Sequence, residues 1–280
     1  MRRLGIVLLA LAASLACARL EAAAPGHLRV LTYNVHGLPS IVTGDDTLAR
    51  QRAIRPLLEP FDVVGLQEDF MDDGHALLTG EATHPARARF ADILEGRVYG
   101  SGLTVLSRFR LASIETELYG TFHGLLDAGS DGMASKGFQV ARLELAAGVE
   151  LDVYDSHLDA GRSEGDETAR AAQVEQLVAS MLGRSAGRAV LFLGDTNLGG
   201  RSAKDQATLT SWLERTGLAC ACQKSPCCGR IDRILVRSGA GVALEVEAWG
   251  VAPGFTDTKG APLSDHEPLE ATLVWSRAPL

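Results

Sequence analysis

Polar side chains that could bind a metal ion and transfer protons recur beside short apolar runs along this 280-residue sequence. They are Asn34, Gln67-Glu68, His157, Asp195 with Asn197, Asp232, and Asp265-His266. An apolar run predicts a strand, and a polar residue at its tip is carried out of the core into a cleft. Turn or cap chemistry explains any one of them alone. Six such tips in one chain indicate a shared site of carboxylates, amides and imidazoles.

The residue types in this set predict distinct roles. Mg²⁺ prefers oxygen ligands, so Glu68 is the predicted direct ligand, with Asn34 and Asp265 near it; Mn²⁺ or another divalent cation is the alternative. His266 is the predicted general base, because imidazole titrates near neutrality and a carboxylate partner raises its basicity. His157 is a candidate to neutralise negative charge that develops on a substrate during reaction.

The elements that must position these residues are short strands separated by amphipathic helices. Helices are predicted over Thr47–Leu58, Glu167–Leu182 and Ala203–Arg215, because apolar residues recur there on one helical face. Ten strands are predicted by apolar runs rich in Val, Leu and Ile. They cover residues 27–34, 62–67, 101–107, 112–119, 137–145, 150–156, 188–194, 230–236, 242–249 and 268–275. Two packed sheets with helices outside would bury this much strand.

The ordered motifs carry a resemblance over about residues 28–275. The motifs are Asn34, Gln67-Glu68, His157, Gly194-Asp195-Thr196-Asn197, Ile231-Asp232 and Ser264-Asp265-His266. The series resembles the endonuclease/exonuclease/phosphatase superfamily, whose members hydrolyse phosphoesters with a divalent metal. The resemblance implies a DNase-like α/β fold, a four-layer sandwich of two mostly antiparallel sheets flanked by helices. It also implies that Glu68 is the principal metal ligand and that Asp232 is the partner of His266. Asp195 and Asn197 would position the attacking water and the phosphate.

Three further segments resemble the neutral sphingomyelinase branch, which hydrolyses sphingomyelin to ceramide and phosphocholine. They are residues 101–109, 131–138 and 156–160. The branch implies a phospholipid substrate at a membrane surface. Lys136 is a candidate contact for the substrate phosphate, and the alternative is an exposed lysine in a turn. The sequence shows no long apolar hairpin tipped with adjacent aromatic residues, which weakens the expectation of membrane action.

Other functions remain open at this point. A secreted DNase-type endonuclease would need a basic groove, for which Arg108, Arg110, Arg162 and Arg201 are candidates. A phosphoinositide or other phosphomonoester phosphatase has no distinctive feature. A catalytically dead binding module is disfavoured, because clustered carboxylates that no metal uses cost stability. The sequence predicts no obligate protein partner.

The charge balance disfavours strong nucleic-acid binding without excluding it. The sequence has 27 basic and 35 acidic residues and a net charge of −8. Phosphate-backbone binding normally depends on clustered Lys and Arg. A bound divalent cation would instead supply positive charge to an acidic site.

The first 24 residues predict a signal peptide, with Arg2 and Arg3 before an apolar stretch and a small-residue end. Cleavage is expected between residues 18 and 25, leaving a single catalytic domain over residues 25–280. Export to the periplasm or the medium follows from this prediction. The alternative is a lipoprotein anchored through Cys17, although Ser14-Leu15-Ala16 matches the usual lipobox poorly.

Four cysteines lie within nine residues: Cys220, Cys222, Cys227 and Cys228. An even number in an exported chain predicts two disulfides, and three pairings are open. A zinc site is the alternative, but the spacing lacks the two-residue knuckle that structural zinc favours.

Overall fold

The computed structural model describes residues 25–80, 82–124, 131–224, 227–239 and 241–277. These residues form twelve strands and five α-helices. The strands are β1 (Gly26–Asn34), β2 (Val63–Gln67), β3 (Ala86–Phe90), β4 (Leu103–Ser107), β5 (Arg110–Leu118), β6 (Gly137–Ala146), β7 (Val149–His157), β8 (Val190–Asp195), β9 (Ala219–Cys220), β10 (Asp232–Arg237), β11 (Val242–Val251) and β12 (Leu269–Arg277). The helices are α1 (Ser40–Thr43), α2 (Thr47–Leu58), α3 (Asp72–Thr79), α4 (Glu164–Gly183) and α5 (Ala203–Thr216), with 3₁₀ turns at Asp131–Met133 and Cys227–Gly229. The predicted signal segment lies outside the described residues.

The strands form two six-stranded sheets. The first has the order β11-β12-β1-β2-β4-β3, and the second has the order β5-β6-β7-β8-β10-β9. In each sheet of the described chain, one parallel pair lies at the centre, β1–β2 or β7–β8, and the other neighbours are antiparallel. The prediction of two packed, mostly antiparallel sheets flanked by helices is confirmed.

The central strands are buried on both faces, which explains why their sequences read as apolar runs. Leu28 and Val30 of β1 join the core between the two sheets. Leu31 and Tyr33 of the same strand join the core beneath α2. Because side chains alternate along a strand, one run of apolar residues contributes to two cores. The two sheets and the helices outside them therefore form four layers.

Helices α2, α4 and α5 begin at residues whose side chains satisfy their first backbone amides. Asp46 accepts a hydrogen bond from the Ala49 amide ahead of α2, and Ser163 with Asp166 forms a reciprocal cap ahead of α4. On the second sheet, the Trp212 ring of α5 meets Phe192 of β8 edge-on, with centroids 4.8 Å apart. These contacts fix the outer helices against the strands that carry the polar tips.

All ten predicted strands and all three predicted helices are present; α2 has the predicted ends, and the other elements have shifted ends. Elements β3, β9, α1 and α3 were not predicted. Within the described part of the chain, no helix has the length and apolar character needed to cross a membrane.

Candidate active site

The polar tips predicted from sequence meet at one edge of the sandwich. Asn34 ends β1 beside Gln67 of β2, and His157 ends β7 beside Asp195 of β8. Asp232 begins β10 rather than ending a run, but it pairs with Asp195 because β10 runs antiparallel to β8. The ends of parallel strands and the start of an antiparallel one therefore share this edge.

The first pair in the site is His266 with Asp232. The Nδ1 atom of His266 lies 2.9 Å and 3.0 Å from the two carboxylate oxygens of Asp232. Its Nε2 atom lies 3.7 Å from Asp195 Oδ2. Burial opposes the charged imidazole, but the hydrogen bond to Asp232 and the charges of Asp195, Asp232 and Asp265 outweigh it and raise the pKa of His266 to about 10. At that pKa the ring is mostly protonated at pH 7 in the metal-free protein, with Nε2 turned toward Asp195; a divalent cation beside these carboxylates would lower the pKa toward the range of a general base.

The second group is Asn34 with two acids. Its amide nitrogen donates to Glu68 Oε1 at 3.0 Å and to Asp195 Oδ2 at 3.2 Å. Its oxygen accepts from the backbone amide of His36 at 3.0 Å. Glu68 has a φ of 61°, an uncommon conformation for a non-glycine residue. This backbone turn directs the carboxylate toward Asn34 immediately after β2 ends.

His36 is a site residue that sequence reasoning missed. Its Nδ1 atom lies 3.2 Å from Asp265 Oδ1 and 3.9 Å from Glu68 Oε2. Asp265 is the most exposed member of the set, with 60% of its side chain accessible. The His36 imidazole thus lies between the largely buried carboxylate of Glu68 and the exposed carboxylate of Asp265. Its position two residues after Asn34 was the available signal.

His157 and Lys136 form a buried pair in which His157 lines the pocket and Lys136 lies behind it. Lys136 Nζ lies 2.9 Å from His157 Nε2, and that nitrogen lies 3.4 Å from Asp195 Oδ2. Burial, and then the charge of Lys136, lower the pKa of His157 well below its ordinary value. The neutral ring can donate a hydrogen bond but brings no charge of its own. The alternative of an exposed Lys136 is wrong, since the side chain is buried.

Asn197 is held in a left-handed turn, with a φ of 49°. Its backbone amide donates to Asp195 Oδ1 at 3.0 Å, and its side-chain nitrogen donates to the Leu158 carbonyl at 3.1 Å. The residue therefore ties the loop after β8 to the loop after β7. Both loops reach the pocket.

A buried polar bridge joins the two sheets behind Glu68. Gln67 Nε2 donates to Asp155 Oδ1 at 2.7 Å, and Gln139 Nε2 donates to Asp155 Oδ2 at 3.1 Å. Gln67 also exchanges a hydrogen bond with Thr32. Burial outweighs the two glutamine hydrogen bonds and raises the pKa of Asp155 to about 8. The acid is thus mostly neutral at pH 7 and is a feature that sequence reasoning missed.

A cavity of about 220 Å³ collects these groups. Its lining includes His36, Glu68, His157, Asp195 and His266. An adjoining cavity of about 620 Å³ shares Asn197 with it and is lined by Arg162 and Arg201. Two of the four arginines considered for a basic groove therefore gather beside the site. The other two lie elsewhere, with Arg108 on Glu59 and Phe61 and Arg110 on Glu144.

The floor of the larger cavity is a buried ion pair. Arg170 donates from Nε and Nη2 to the two oxygens of Asp205 at 3.0 Å and 2.9 Å. The same guanidinium donates to the carbonyls of Asp159 and Gly161, and Asp205 accepts from the Gly199 amide. This fork is strong because both partners are charged and desolvated together. It holds the loops that follow His157 and Asn197.

The donor set fits a divalent cation that prefers oxygen. Glu68, Asp195 and Asp265 all line the smaller cavity, and a divalent cation would offset the repulsion between carboxylates gathered in one place. Donor atoms of Asp195, Asp232 and His266 also lie within 4.8 Å of one another. His266 and Asp232 are hydrogen-bonded to each other and are therefore less available to a metal ion, so Glu68 remains the better candidate for a direct ligand. Asn34 presents its nitrogen to the acids and would turn its oxygen inward to bind a metal.

The cysteine cluster lies just ahead of Asp232. The structure pairs Cys220 with Cys227 and Cys222 with Cys228, with Cα atoms 5.5 Å and 6.4 Å apart. The prediction of two disulfides is met, and one of the three open pairings is selected. The bridges close the loop between β9 and β10.

Sequence comparison identifies the class to which this fold and site belong. The Endonuclease/Exonuclease/phosphatase family profile matches residues 31–266, and the chain belongs to that family. Within it, the chain is 30% identical over 268 residues to a protein named sphingomyelinase from Mycobacterium tuberculosis, covering 87% of this chain and 52% of that protein. The chain thus spans about half the length of this relative.

Solved structures share the fold. Sphingomyelinase C from Streptomyces griseocarneus is 21% identical with a TM-score of 0.65, covering 88% of this chain and 99% of that one. A beta toxin variant from Staphylococcus aureus, with bound magnesium ions, is 14% identical with a TM-score of 0.65, covering 91% and 100% of the two chains. The family assignment is confirmed, and its relatives include proteins named sphingomyelinase.

Proposed function

We propose that this protein is a divalent-metal-dependent phosphodiesterase that hydrolyses sphingomyelin to ceramide and phosphocholine. The observation that carries the proposal is the His266–Asp232 pair facing Asp195, with Glu68 lining the same small cavity and Asn34 hydrogen-bonded to both Glu68 and Asp195. A candidate base beside an acidic metal-type site suits attack of water on a phosphoester. The similarity to proteins named sphingomyelinase supports the lipid substrate.

Each residue has a role that its contacts support. His266 Nε2 accepts the proton of the attacking water, while Asp232 holds the ring through Nδ1 and stabilises the imidazolium that results. Asp195 and Asn197 orient the water and the phosphate. His157 would contact a phosphoryl oxygen from the cavity wall, and Lys136, which donates to the His157 ring, would supply positive charge from behind it.

The metal is proposed to be Mg²⁺, with Mn²⁺ as the alternative. Glu68 would hold it, with Asn34 and Asp265 nearby. When bound, it supplies positive charge that stabilises the developing charge of the phosphoryl oxygens. The retained carboxylates argue against a binding module that has lost its chemistry, because such a module gains nothing from keeping them together.

The cellular setting of the proposal is an exported single-domain enzyme. Two disulfides support an oxidising compartment, because such bonds are rare in the cytosol. The signal peptide over residues 1–24 and the lipoprotein alternative at Cys17 both lead out of the cytoplasm.

The test offers the purified protein sphingomyelin vesicles and plasmid DNA in parallel, with Mg²⁺ and with EDTA. We expect Mg²⁺-dependent phosphocholine release that EDTA abolishes and that His266→Ala reduces by roughly 10²–10⁴. The matched control is His27→Ala, because His27 is an exposed histidine on β1. Release of phosphocholine in EDTA, or by His266→Ala at the full rate, would contradict the mechanism.

The second candidate is a DNase-type endonuclease, and one observation favours it. Arg162 and Arg201 line the cavity next to Asn197, where they are placed to contact a phosphate that flanks the scissile one. DNA nicking without lipid turnover, reduced by Arg162→Ala with Arg201→Ala, would support this candidate over the sphingomyelinase. Turnover of neither substrate would contradict both.

A further inference from the structure

Two acidic residues follow β2 in succession, and their side chains have different surroundings. Glu68 lines the catalytic cavity, whereas Asp69 is fully buried. Asp69 has no role in the reaction proposed for the site. A carboxylate that is taken out of water lowers stability unless hydrogen bonds replace the lost hydration. The contacts of Asp69 therefore indicate what the residue does.

The Asp69 carboxylate is held at one oxygen by two elements. Thr104 of β4 donates from Oγ1 to Asp69 Oδ2 at 2.7 Å. His75 of α3 places its Nδ1 atom 2.5 Å from the same oxygen. The Nε2 atom on the other side of the His75 ring lies 3.4 Å from the Thr79 hydroxyl. The Asp69 side chain thus joins the first sheet to helix α3.

The main chain of Asp69 is fixed as well. Its amide donates to the Gly102 carbonyl at 2.9 Å, and its carbonyl accepts from Arg89 Nη2 at 3.3 Å. The same guanidinium nitrogen donates to the Phe70 carbonyl at 3.1 Å. Side chain and main chain of Asp69 are therefore both bound to the elements that surround the end of β2.

These contacts bear on Glu68 because the two residues share a peptide bond. Glu68 has a φ of 61°, and a non-glycine residue stays in that conformation only where its surroundings impose it. A Cβ atom at Gly37 would overlap the Glu68 carbonyl oxygen, so the loop after β1 packs directly against this carbonyl. Asp69 supplies the anchor that follows in the chain. Without this anchor, Glu68 would relax toward a commoner conformation and its carboxylate would turn away from Asn34.

The second oxygen of Asp69 indicates that the residue serves the site at some cost to the fold. Within the described part of the chain, the buried Oδ1 atom has no hydrogen-bond partner. A buried polar atom without a partner lowers stability. Proteins accept such local costs mainly at functional sites.

We propose that Asp69 is a positioning residue: anchored by Thr104 and His75, it fixes Glu68 in the conformation in which the Glu68 carboxylate can bind a divalent cation. The inference rests on the proposed function, which makes Glu68 the direct ligand. Asp69 contacts neither the cation nor the substrate in this role, so its effect is on the affinity for the cation. Residues that orient a metal ligand from outside typically change that affinity about 10- to 100-fold.

The test measures binding of Mn²⁺ alone, by electron paramagnetic resonance of the free ion. The variant is Asp69→Ala, and the matched control is Asp152→Ala. Asp152 is also a fully buried carboxylate and pairs with Arg142 and Arg188, but it lies near the start of β7, which ends at His157. Both substitutions should lower the Tm, because each removes a buried hydrogen-bonded acid. Only Asp69→Ala should bind Mn²⁺ about 10- to 100-fold more weakly than the parent.

Parental Mn²⁺ affinity in Asp69→Ala, or an equal loss in Asp152→Ala, would overturn the inference. If Asp69→Ala does not fold, Thr104→Val replaces it, because this substitution keeps the shape of the side chain and removes one of the two anchoring contacts. Thr104→Val should bind Mn²⁺ more weakly than the parent, and unchanged binding would contradict the inference.

The inference and the proposed function fail separately. A parent protein that binds no Mn²⁺ overturns the inference, and the phosphocholine assay with Mg²⁺ and EDTA then decides the proposed function independently. A parent that binds Mn²⁺ in an Asp69-dependent way but releases no phosphocholine from sphingomyelin contradicts the proposed substrate and supports the role of Asp69.

Discussion

His266 is the residue on which the electrostatics of the site converge. Three carboxylates face it from three segments: Asp195 at the end of β8, Asp232 at the start of β10, and Asp265 next to it in the chain. Their combined effect outweighs burial and raises the pKa of the imidazole to about 10. A ring in this setting takes a proton readily, and the fixed Nδ1 contact leaves Nε2 as the atom that receives it.

Asp232→Asn keeps the size of the side chain and removes one of these charges. We expect the pKa of His266 in the metal-free protein to fall below about 10 and kcat/KM for bis(p-nitrophenyl) phosphate to fall roughly a hundredfold or more. Imidazole NMR titration and steady-state kinetics measure the two effects.

Asp92→Asn is the control for this substitution, because Asp92 is an exposed carboxylate outside the cavity. An Asp232→Asn protein with the parental kcat/KM would show that Asp232 does not support the base. A changed rate with an unchanged imidazole pKa would assign Asp232 a purely steric role.

The sequence predicted most members of the site, and the family resemblance implied the pairing of Asp232 with His266, which the structure shows. The residue types predicted Glu68 as a metal ligand and His266 as a base. They did not reveal His36, because a histidine in a loop has no periodic signal. Nor did they show that Lys136 is buried against His157, since that contact joins residues on different segments and depends on the sheet register.

At the scale of elements, the neutral acid between the sheets has a measurable consequence. Asp155 of β7 accepts from Gln67 of β2 and Gln139 of β6, so it bridges the two sheets. Its pKa of about 8 in the folded protein exceeds the ordinary carboxyl value near 4. Between those limits the folded state keeps a proton that the unfolded chain releases.

The free energy of unfolding should therefore fall as pH rises from about 4 to about 8, with roughly 1.4 kcal/mol per pH unit from Asp155. Asp155→Asn removes that contribution, and Gln139 Oε1, which has no partner in the described part of the chain, can accept from the new amide. Urea unfolding at pH 5 and pH 8 measures the difference. Parallel pH profiles for parent and Asp155→Asn would contradict the prediction, and Asp92→Asn should follow the parent.

The elements that sequence did not predict share a physical cause. β3 reads Ala-Arg-Ala-Arg-Phe, and its alternation of small and charged residues suits a half-exposed edge strand but lacks an apolar signal. α3 is eight residues long and contains Gly74, so its helical propensity is weak. Packing against neighbours forms these elements, whereas β2 and β8 were predictable because they are buried on both faces.

At the scale of the whole molecule, an acidic chain concentrates carboxylates in one cavity. A cation that binds only the folded state should stabilise the entire protein, by about 2.7 kcal/mol when its concentration is a hundred times its Kd. We expect Mg²⁺ to raise the Tm by roughly 5–10 °C at that concentration. Differential scanning calorimetry measures this shift.

Glu68→Gln should abolish most of the Mg²⁺ shift, because it removes the predicted direct ligand. Glu95→Gln is the matched control, since Glu95 is exposed outside the cavity, and it should keep the full shift. A Tm that does not respond to Mg²⁺ in the parent protein would contradict the assignment of the metal site.

The two sheets have the same pattern of parallel and antiparallel strand pairings. Read in order, each has two antiparallel pairings, one parallel pairing and two more antiparallel pairings, so β1 corresponds to β7 and β2 to β8. Asn34 and Gln67 then occupy the positions that His157 and Asp195 occupy in the other sheet. The molecule therefore has two halves of similar topology, and the residues of the candidate site lie where the two halves meet. Asn34, Glu68 and His266 come from the first half, whereas His157, Asp195 and Asp232 come from the second. A slide of one half against the other would therefore separate His266 from Asp232 without changing any residue of the site.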